Sequence, residues 1–230
     1  MNTAIIAAAG TGVRMARDRP KQFLLLAGTP VIFHTLKPFE QCESIDEVIL
    51  VLPAEESAGF LSLAAKFRKV ARVVPGGDTR ADSVKRGLMA IRSATARIVA
   101  VHDGVRPFVT VEEIDATVMA AQQHGAAILV APVTETIKQV RDQRVVETLD
   151  RSGLCRALTP QCFRYELLRQ AYQQADVNDP SLTDESALLE QLGIPVSMVE
   201  GSARNIKITT AEDLAIAEAF LNPSTDYTEP

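Results

Sequence analysis

Three cysteines, Cys42, Cys155 and Cys162, are all that the 230 residues contain. Their number is odd, no CxxC pair is present and no histidine cluster partners them. A disulfide framework and a structural zinc site are therefore not expected, and the cytosol is the natural compartment. No long apolar run is present either. The opening stretch Thr3 to Ala9 has no basic residue ahead of it and is too short to cross a bilayer, which argues against a signal peptide or membrane span and for a buried first strand. Cations are outnumbered by anions, 24 to 29, giving a formal net charge of -5. Broad binding of nucleic acid needs a basic face, so no nucleic-acid partner is expected. Low-complexity blocks, internal repeats and a convincing linker are missing too. With 47% hydrophobic and 23% charged residues, the chain reads as one packed domain over 1–230.

Six apolar, β-branched runs recur: Ile5 to Ala9, Val48 to Leu52, Val70 to Val74, Ile98 to Val101, Ala127 to Ala131 and Val196 to Val199. They read as strands buried on both faces. Helical periodicity fills the intervals at Val31 to Gln41, Ala54 to Phe67, Ala81 to Ile91 and Val111 to Gln123. This alternation predicts an α/β fold with a mostly parallel twisted sheet flanked by helices. The polar, alternating segment Thr134 to Ser152 breaks the rhythm. With Asp142-Gln143 as its turn, it predicts a projecting β-hairpin arm over 134–153, which lacks a core of its own and is expected to pack on a second subunit. Helices follow near Tyr165 to Ala175 and Asp184 to Leu192. A last helix opens at Thr210-Ala211-Glu212-Asp213, which has capping-box spacing. The tail 222–230 is expected to fray, and its nearness to that helix leaves no room for a fused second enzyme.

The chemistry concentrates after the first strand, at Ala8-Ala9-Gly10-Thr11-Gly12-Val13-Arg14-Met15 and Pro20-Lys21-Gln22. Small residues and two glycines let backbone N–H groups approach a phosphate chain, and Arg14 and Lys21 would neutralise it. Four cations, Arg14, Arg17, Arg19 and Lys21, face only Asp18 here in an otherwise acidic chain. A tight turn with exposed charges is the competing reading of Gly-x-Gly alone. The loop is neither Walker A, which needs Gly-Lys-Ser/Thr, nor Gly-x-Gly-x-x-Gly, because Met15 stands at the third glycine. No Ser/His/Asp or Cys/His arrangement is evident.

Gly10, Gly12, Arg14 and Lys21 resemble the signature loop of sugar-phosphate nucleotidyltransferases. Gly76 to Val84 (GGDTRADSV), Val101 to Pro107 (VHDGVRP), Leu158-Thr159-Pro160-Gln161, Leu182-Thr183-Asp184-Glu185 and Asn205-Ile206-Lys207 follow in order. Together they closely resemble the 2-C-methyl-D-erythritol 4-phosphate cytidylyltransferase family, from Ile5 to about Leu221. That resemblance implies a fold of the nucleotide-diphospho-sugar transferase type and an attack by the methylerythritol phosphate oxygen on the α-phosphorus of CTP, with magnesium on the triphosphate. An anionic nucleophile requires no strong base, so alignment and charge neutralisation carry such a reaction.

The resemblance assigns Ala8, Ala9, Gly10 and Gly12 to the triphosphate, Arg14, Lys21 and Lys207 to catalysis, and Gly77, Asp78 and Ser83 to cytosine and ribose. Asp103 is expected to ligate magnesium or substrate, with Gly104 beside the nucleotide. Arg106, Thr136, Arg151, Thr159 and Lys207 are expected to hold the methylerythritol phosphate, with Thr136 and Arg151 supplied by a homodimer partner's arm. His102 reads as a packed strand-end residue. Gly104-Val105 departs from the family's usual two alanines and would loosen the backbone; Cys155 stands where tryptophan is frequent, and Glu135 replaces a more usual aspartate. The rival readings are a cytidylyltransferase for a pentitol phosphate such as ribitol 5-phosphate, and a nucleotide-binding regulator without activity.

Overall fold

The computed structural model describes residues 1–10, 20–64, 66–92 and 94–222. β1 (Asn2–Ala7) leads to a short ribbon of β2 (Leu25–Leu26) and β3 (Thr29–Pro30), then to α1 (Val31–Gln41), β4 (Glu47–Leu52), α2 (Ala54–Ala64), β5 (Val70–Pro75), α3 (Arg80–Met89), β6 (Ile98–Asp103), α4 (Val111–His124) and β7 (Ala126–Pro132). The second half contains β8 (Ile137–Arg141), β9 (Arg144–Leu149), β10 (Cys155–Arg164), α5 (Tyr165–Gln174), α6 (Glu185–Gln191), β11 (Ser197–Glu200) and α7 (Ala211–Leu221).

Among the described residues seven strands form one sheet in the order β11-β7-β10-β6-β1-β4-β5. Among the described strands of this sheet only β10 runs antiparallel to its neighbours, so the sheet is mostly parallel, as the strand–helix alternation predicts. Two-residue periodicity explains the burial. Ala4 and Ile6 of β1, Val48, Leu50 and Leu52 of β4, and Ile98 and Ala100 of β6 face the core with α1 and α4. Ile5, Ile49, Val51, Val99 and Val101 face the opposite core, with α3, α5 and α6.

β10 is a strand the sequence reading does not contain. Pro160 interrupts its pattern, and proline is confined to edges and bulges of sheets. Here the pairing with β7 shifts register between Ala157 and Gln161, so the interruption sits in a bulge. The arm forms as the alternation predicts: β8 pairs with β9, and Asp142 and Gln143 turn between them with φ of 49° and 61°. Thr210 and Asp213 close the expected capping box at the start of α7. Of the tail 222–230, all but Asn222 lies outside the described residues.

Candidate active site

The strand order reverses at β1: the chain runs outward through β4 and β5, then returns to place β6 on the other side of β1. Open α/β sheets bind ligands beyond the carboxyl ends of strands at such a switch point. A cleft of about 410 Å³ opens there. Its described lining runs from Ala7, Ala8, Ala9 and Gly10 after β1, through Lys21 and Gln22, to Gly77, Asp78, Thr79, Arg80 and Ser83 around the start of α3, with Asp103, Val105 and Lys207 opposite.

Local bonding fixes these walls. Ala8 N–H donates to Val51 O at 2.8 Å, and Gln22 Nε2 donates to Ala8 O at 2.6 Å. Gly77 N–H donates to Ser83 Oγ at 3.0 Å, and Thr79 caps α3 by accepting from Asp82 N–H. The close glycines matter here. A Cβ at Gly76 would lie 2.1 Å from the Cβ of Ala9, so only glycine lets the two walls meet without a shift. Gly104 is likewise pressed against Ala8, and its backbone is held on both sides: N–H donates to Ala7 O at 2.8 Å, and O accepts from Thr35 Oγ1 at 3.2 Å.

Asp103 ends β6, is 5% exposed and meets three cations. Arg80 Nε lies 2.9 Å from Oδ1, while Lys207 Nζ and Arg106 Nε lie 2.8 and 3.5 Å from Oδ2. Burial alone would raise the Asp103 pKa, but Arg80, Lys207 and Arg106 outweigh it and hold the carboxyl well below the usual carboxylate range. Lys207 is brought there by its neighbour: Ile208 N–H donates to Val105 O at 2.9 Å, tying the segment before α7 to the turn after β6. Arg106 Nη1 donates to Asn205 O at 2.8 Å, and Asn205 Nδ2 donates to Thr159 O at 2.9 Å.

Behind Asp103 lies a directional chain. Its backbone N–H donates to Thr159 Oγ1 at 3.2 Å, and Thr159 Oγ1 pairs with His102 Nδ1 at 2.9 Å. His102 Nε2 is 3.2 Å from Arg106 O. A carbonyl can only accept, so Nε2 carries a proton, and a fully buried ring disfavours a second one, which leaves Nδ1 to accept from the threonine hydroxyl. Burial agrees, pulling the His102 pKa down to about 4.

The family model for 2-C-methyl-D-erythritol 4-phosphate cytidylyltransferase matches residues 2–223. The chain belongs to this cytidylyltransferase family. It is a nucleotidyltransferase of isoprenoid biosynthesis. The cytidylyltransferase of Pelotomaculum thermopropionicum is 46% identical over 222 residues, covering 95% of this chain and 93% of its own. That of Geobacillus kaustophilus is 45% identical over 220 residues, with 95% and 96% covered. The crystal structure of 4-diphosphocytidyl-2C-methyl-D-erythritol synthase from Anaerococcus prevotii superposes with a TM-score of 0.86 at 32% identity over 96% of each chain.

Set against what the cytidylyltransferase resemblance implies, the cleft gathers Ala8, Ala9, Gly10, Lys21, Gly77, Asp78, Ser83, Asp103 and Lys207 on its described walls. Gly12 and Arg14 lie outside the described residues. Gly104, Arg106 and Thr159 stand behind the wall rather than on it; Thr159 is 4% exposed, with its hydroxyl engaged by Asp103 and His102. Thr136 and Arg151 are exposed on and below the arm and are not among the residues that line the cleft, and Arg151 Nη1 donates to Thr134 O. The reading of His102 as a packed residue agrees with its burial.

Arg80, Glu185, Tyr172 and Gln161 are given no role by the sequence reading. Arg80 lines the cleft and joins Asp103 to Glu185. The only signal was their place inside three of the family motifs or, for Tyr172, none at all. Sequence spacing does not reveal that residues 80, 103 and 185 meet.

Proposed function

We propose that this cytidylyltransferase is a cytoplasmic enzyme that transfers CMP from CTP to 2-C-methyl-D-erythritol 4-phosphate, giving 4-diphosphocytidyl-2-C-methyl-D-erythritol and pyrophosphate. The observation that carries the reading is the cleft itself: Lys21 and Lys207 on walls built of small residues, at the sheet's switch point, beside a carboxylate ringed by three cations. Two anions must approach each other there, and preorganised positive charge is what that approach requires. Ala8, Ala9, Gly10 and Gly12 wrap the triphosphate; Arg14 and Lys21 stabilise charge on it during transfer. Gly77, Asp78 and Ser83 hold the nucleoside, with Gly104 supporting Ala8 from behind. Lys207 and Arg106 attract the second phosphate, and Thr159 acts on it through Asp103.

Magnesium ions keep few protein ligands and lean on substrate phosphates through one or two carboxylates. Among the described residues no three His, Cys, Asp or Glu side chains converge into a cage, and both Asp103 oxygens already face cations. This donor set suits an ion carried by the triphosphate itself and leaves Asp103 to the acceptor. Bound there, magnesium would neutralise phosphate charge; the chain's own residues align the two substrates.

The chain acts as one domain over 1–230, and the arm over 134–153 forms a homodimer in which Thr136 and Arg151 complete the partner's cleft. Its exposed Val140, Val145 and Val146, at 58%, 63% and 58%, support that role. No helix among the described residues is long and apolar enough to cross a membrane. Pyrophosphate release from CTP, magnesium and methylerythritol phosphate tests the reading. Equal or faster turnover of ribitol 5-phosphate would replace the acceptor substrate.

A further inference from the structure

Arg80 opens α3 with a guanidinium shared between two carboxylates. Nε donates to Asp103 Oδ1 at 2.9 Å, while Nη1 reaches both Glu185 oxygens, at 2.8 and 2.9 Å. Glu185 is 1% exposed and does not line the cleft. It is anchored on its far side as well. Tyr172 Oη donates to Oε1 at 3.0 Å, and its backbone N–H and that of Ser186 donate to Gln161 Oε1, both at 3.1 Å. Burial tends to lower the Arg80 pKa, but Glu185 and Asp103 overcome it and raise it, so the guanidinium stays charged.

A buried carboxylate of this kind is a costly way to stabilise a fold, since an apolar substitute of the same volume would often serve as well or better. Its geometry suggests a different use. A guanidinium is planar, so the bonds from Nη1 to both Glu185 oxygens and the tether of the side chain together restrict the direction of Nε–H. With Glu185 holding Nη1, Nε–H is kept turned toward Asp103.

We propose that Glu185, acting through Arg80, is a positioning residue that sets the Asp103 carboxylate for the acceptor polyol phosphate. Arg80 brings a positive charge to the cleft, and Glu185 offsets it, leaving Lys207 as the half-exposed cation on Asp103 that an incoming phosphate can recruit. The inference rests on the reading that Asp103 and Lys207 serve the acceptor rather than the nucleotide. It also gives the Leu182 to Glu185 and Leu158 to Gln161 motifs a shared purpose, because Gln161 seats the helix start that carries Glu185.

Glu185→Gln preserves shape and removes the charge. With CTP and magnesium, KM for methylerythritol phosphate is expected to rise about tenfold or kcat to fall by as much, with KM for CTP within about twofold of wild type. A merely structural ion pair would affect both substrates alike. Nitrogen-resolved NMR supplies a readout that needs no substrate. The Arg80 Nε–H resonance, identified by its loss in Arg80→Lys, is expected to exchange slowly in wild type and rapidly in Glu185→Gln. If Glu185→Gln does not fold, Tyr172→Phe should give the same pattern at smaller size. Slow exchange together with wild-type kinetics in the variant overturns the proposal, as does an equal loss for both substrates. Wild-type enzyme that ignores methylerythritol phosphate defeats the substrate reading instead, and the exchange measurement still decides this one.

Discussion

His102 is wholly buried against Phe39, with ring centroids 4.9 Å apart, and its pKa lies near 4 rather than at the ordinary 6.5. Between those values the unfolded chain holds a proton that the folded one does not. The stabilising contribution is therefore present above about pH 6.5 and is lost as pH falls toward 4, with a slope of about 1.4 kcal/mol per pH unit at its steepest. Urea midpoints measured across that range should fall steadily in wild type and flatten in His102→Gln. Lys207 behaves differently. Its side chain is 36% exposed, so its 2.8 Å pair with Asp103 is screened and contributes about 1 kcal/mol or less to stability. Lys207→Ala should leave thermal unfolding nearly unchanged while lowering pyrophosphate release about a hundredfold or more. Gly76→Ala forces a Cβ to 2.1 Å from that of Ala9. It should cost about 1–3 kcal/mol and raise KM for CTP, since the wall proposed to wrap the triphosphate must move.

At the scale of elements, the arm is the clearest case of a part without its own support. β8 and β9 pair with each other and with no other described strand, and apart from the partly buried Ile137 and Leu149 their residues are exposed. Replacing 138–148 by a short turn should leave the seven-stranded sheet folded by circular dichroism but remove turnover, because Thr136 and Arg151 would no longer be held for a neighbouring cleft. The hairpin was legible from alternation and an Asp-Gln turn alone, as were α1 and the capping box of α7, because each is set by local periodicity or by residues three apart. β10 was not legible, since a proline within a bulge hides a strand whose identity comes from its neighbours on both sides. The same holds for the site. Ala8 to Gly10 and Gly77 to Ser83 announce themselves as glycine-bearing loops beside strands, whereas the Arg80–Glu185 contact joins residues 105 positions apart through packing that no pattern encodes.

For the whole molecule, two measurements separate what one subunit does from what it borrows. Light scattering paired with activity over a dilution series should show turnover falling as dimers part, and a fully active monomer would remove the shared-cleft idea. Removing divalent cations with a chelator should abolish turnover with little change in melting temperature, because the described residues offer no cage whose loss would unfold the chain. Adding magnesium back should restore the rate.

β10 begins at the foot of the arm, with Cys155 opposite Pro132, and within five residues reaches the hydroxyl that grips the backbone of Asp103. Its bulge is what seats Thr159 there and then returns Gln161 and Phe163 to one side of the sheet and Cys162 to the other. Loss of a single residue from Leu158 to Pro160 would turn everything downstream to the opposite face. Related enzymes of differing length are therefore expected to carry their gaps in the loops around this strand and never inside it, leaving the stretch as a ruler against which distant sequences can be set.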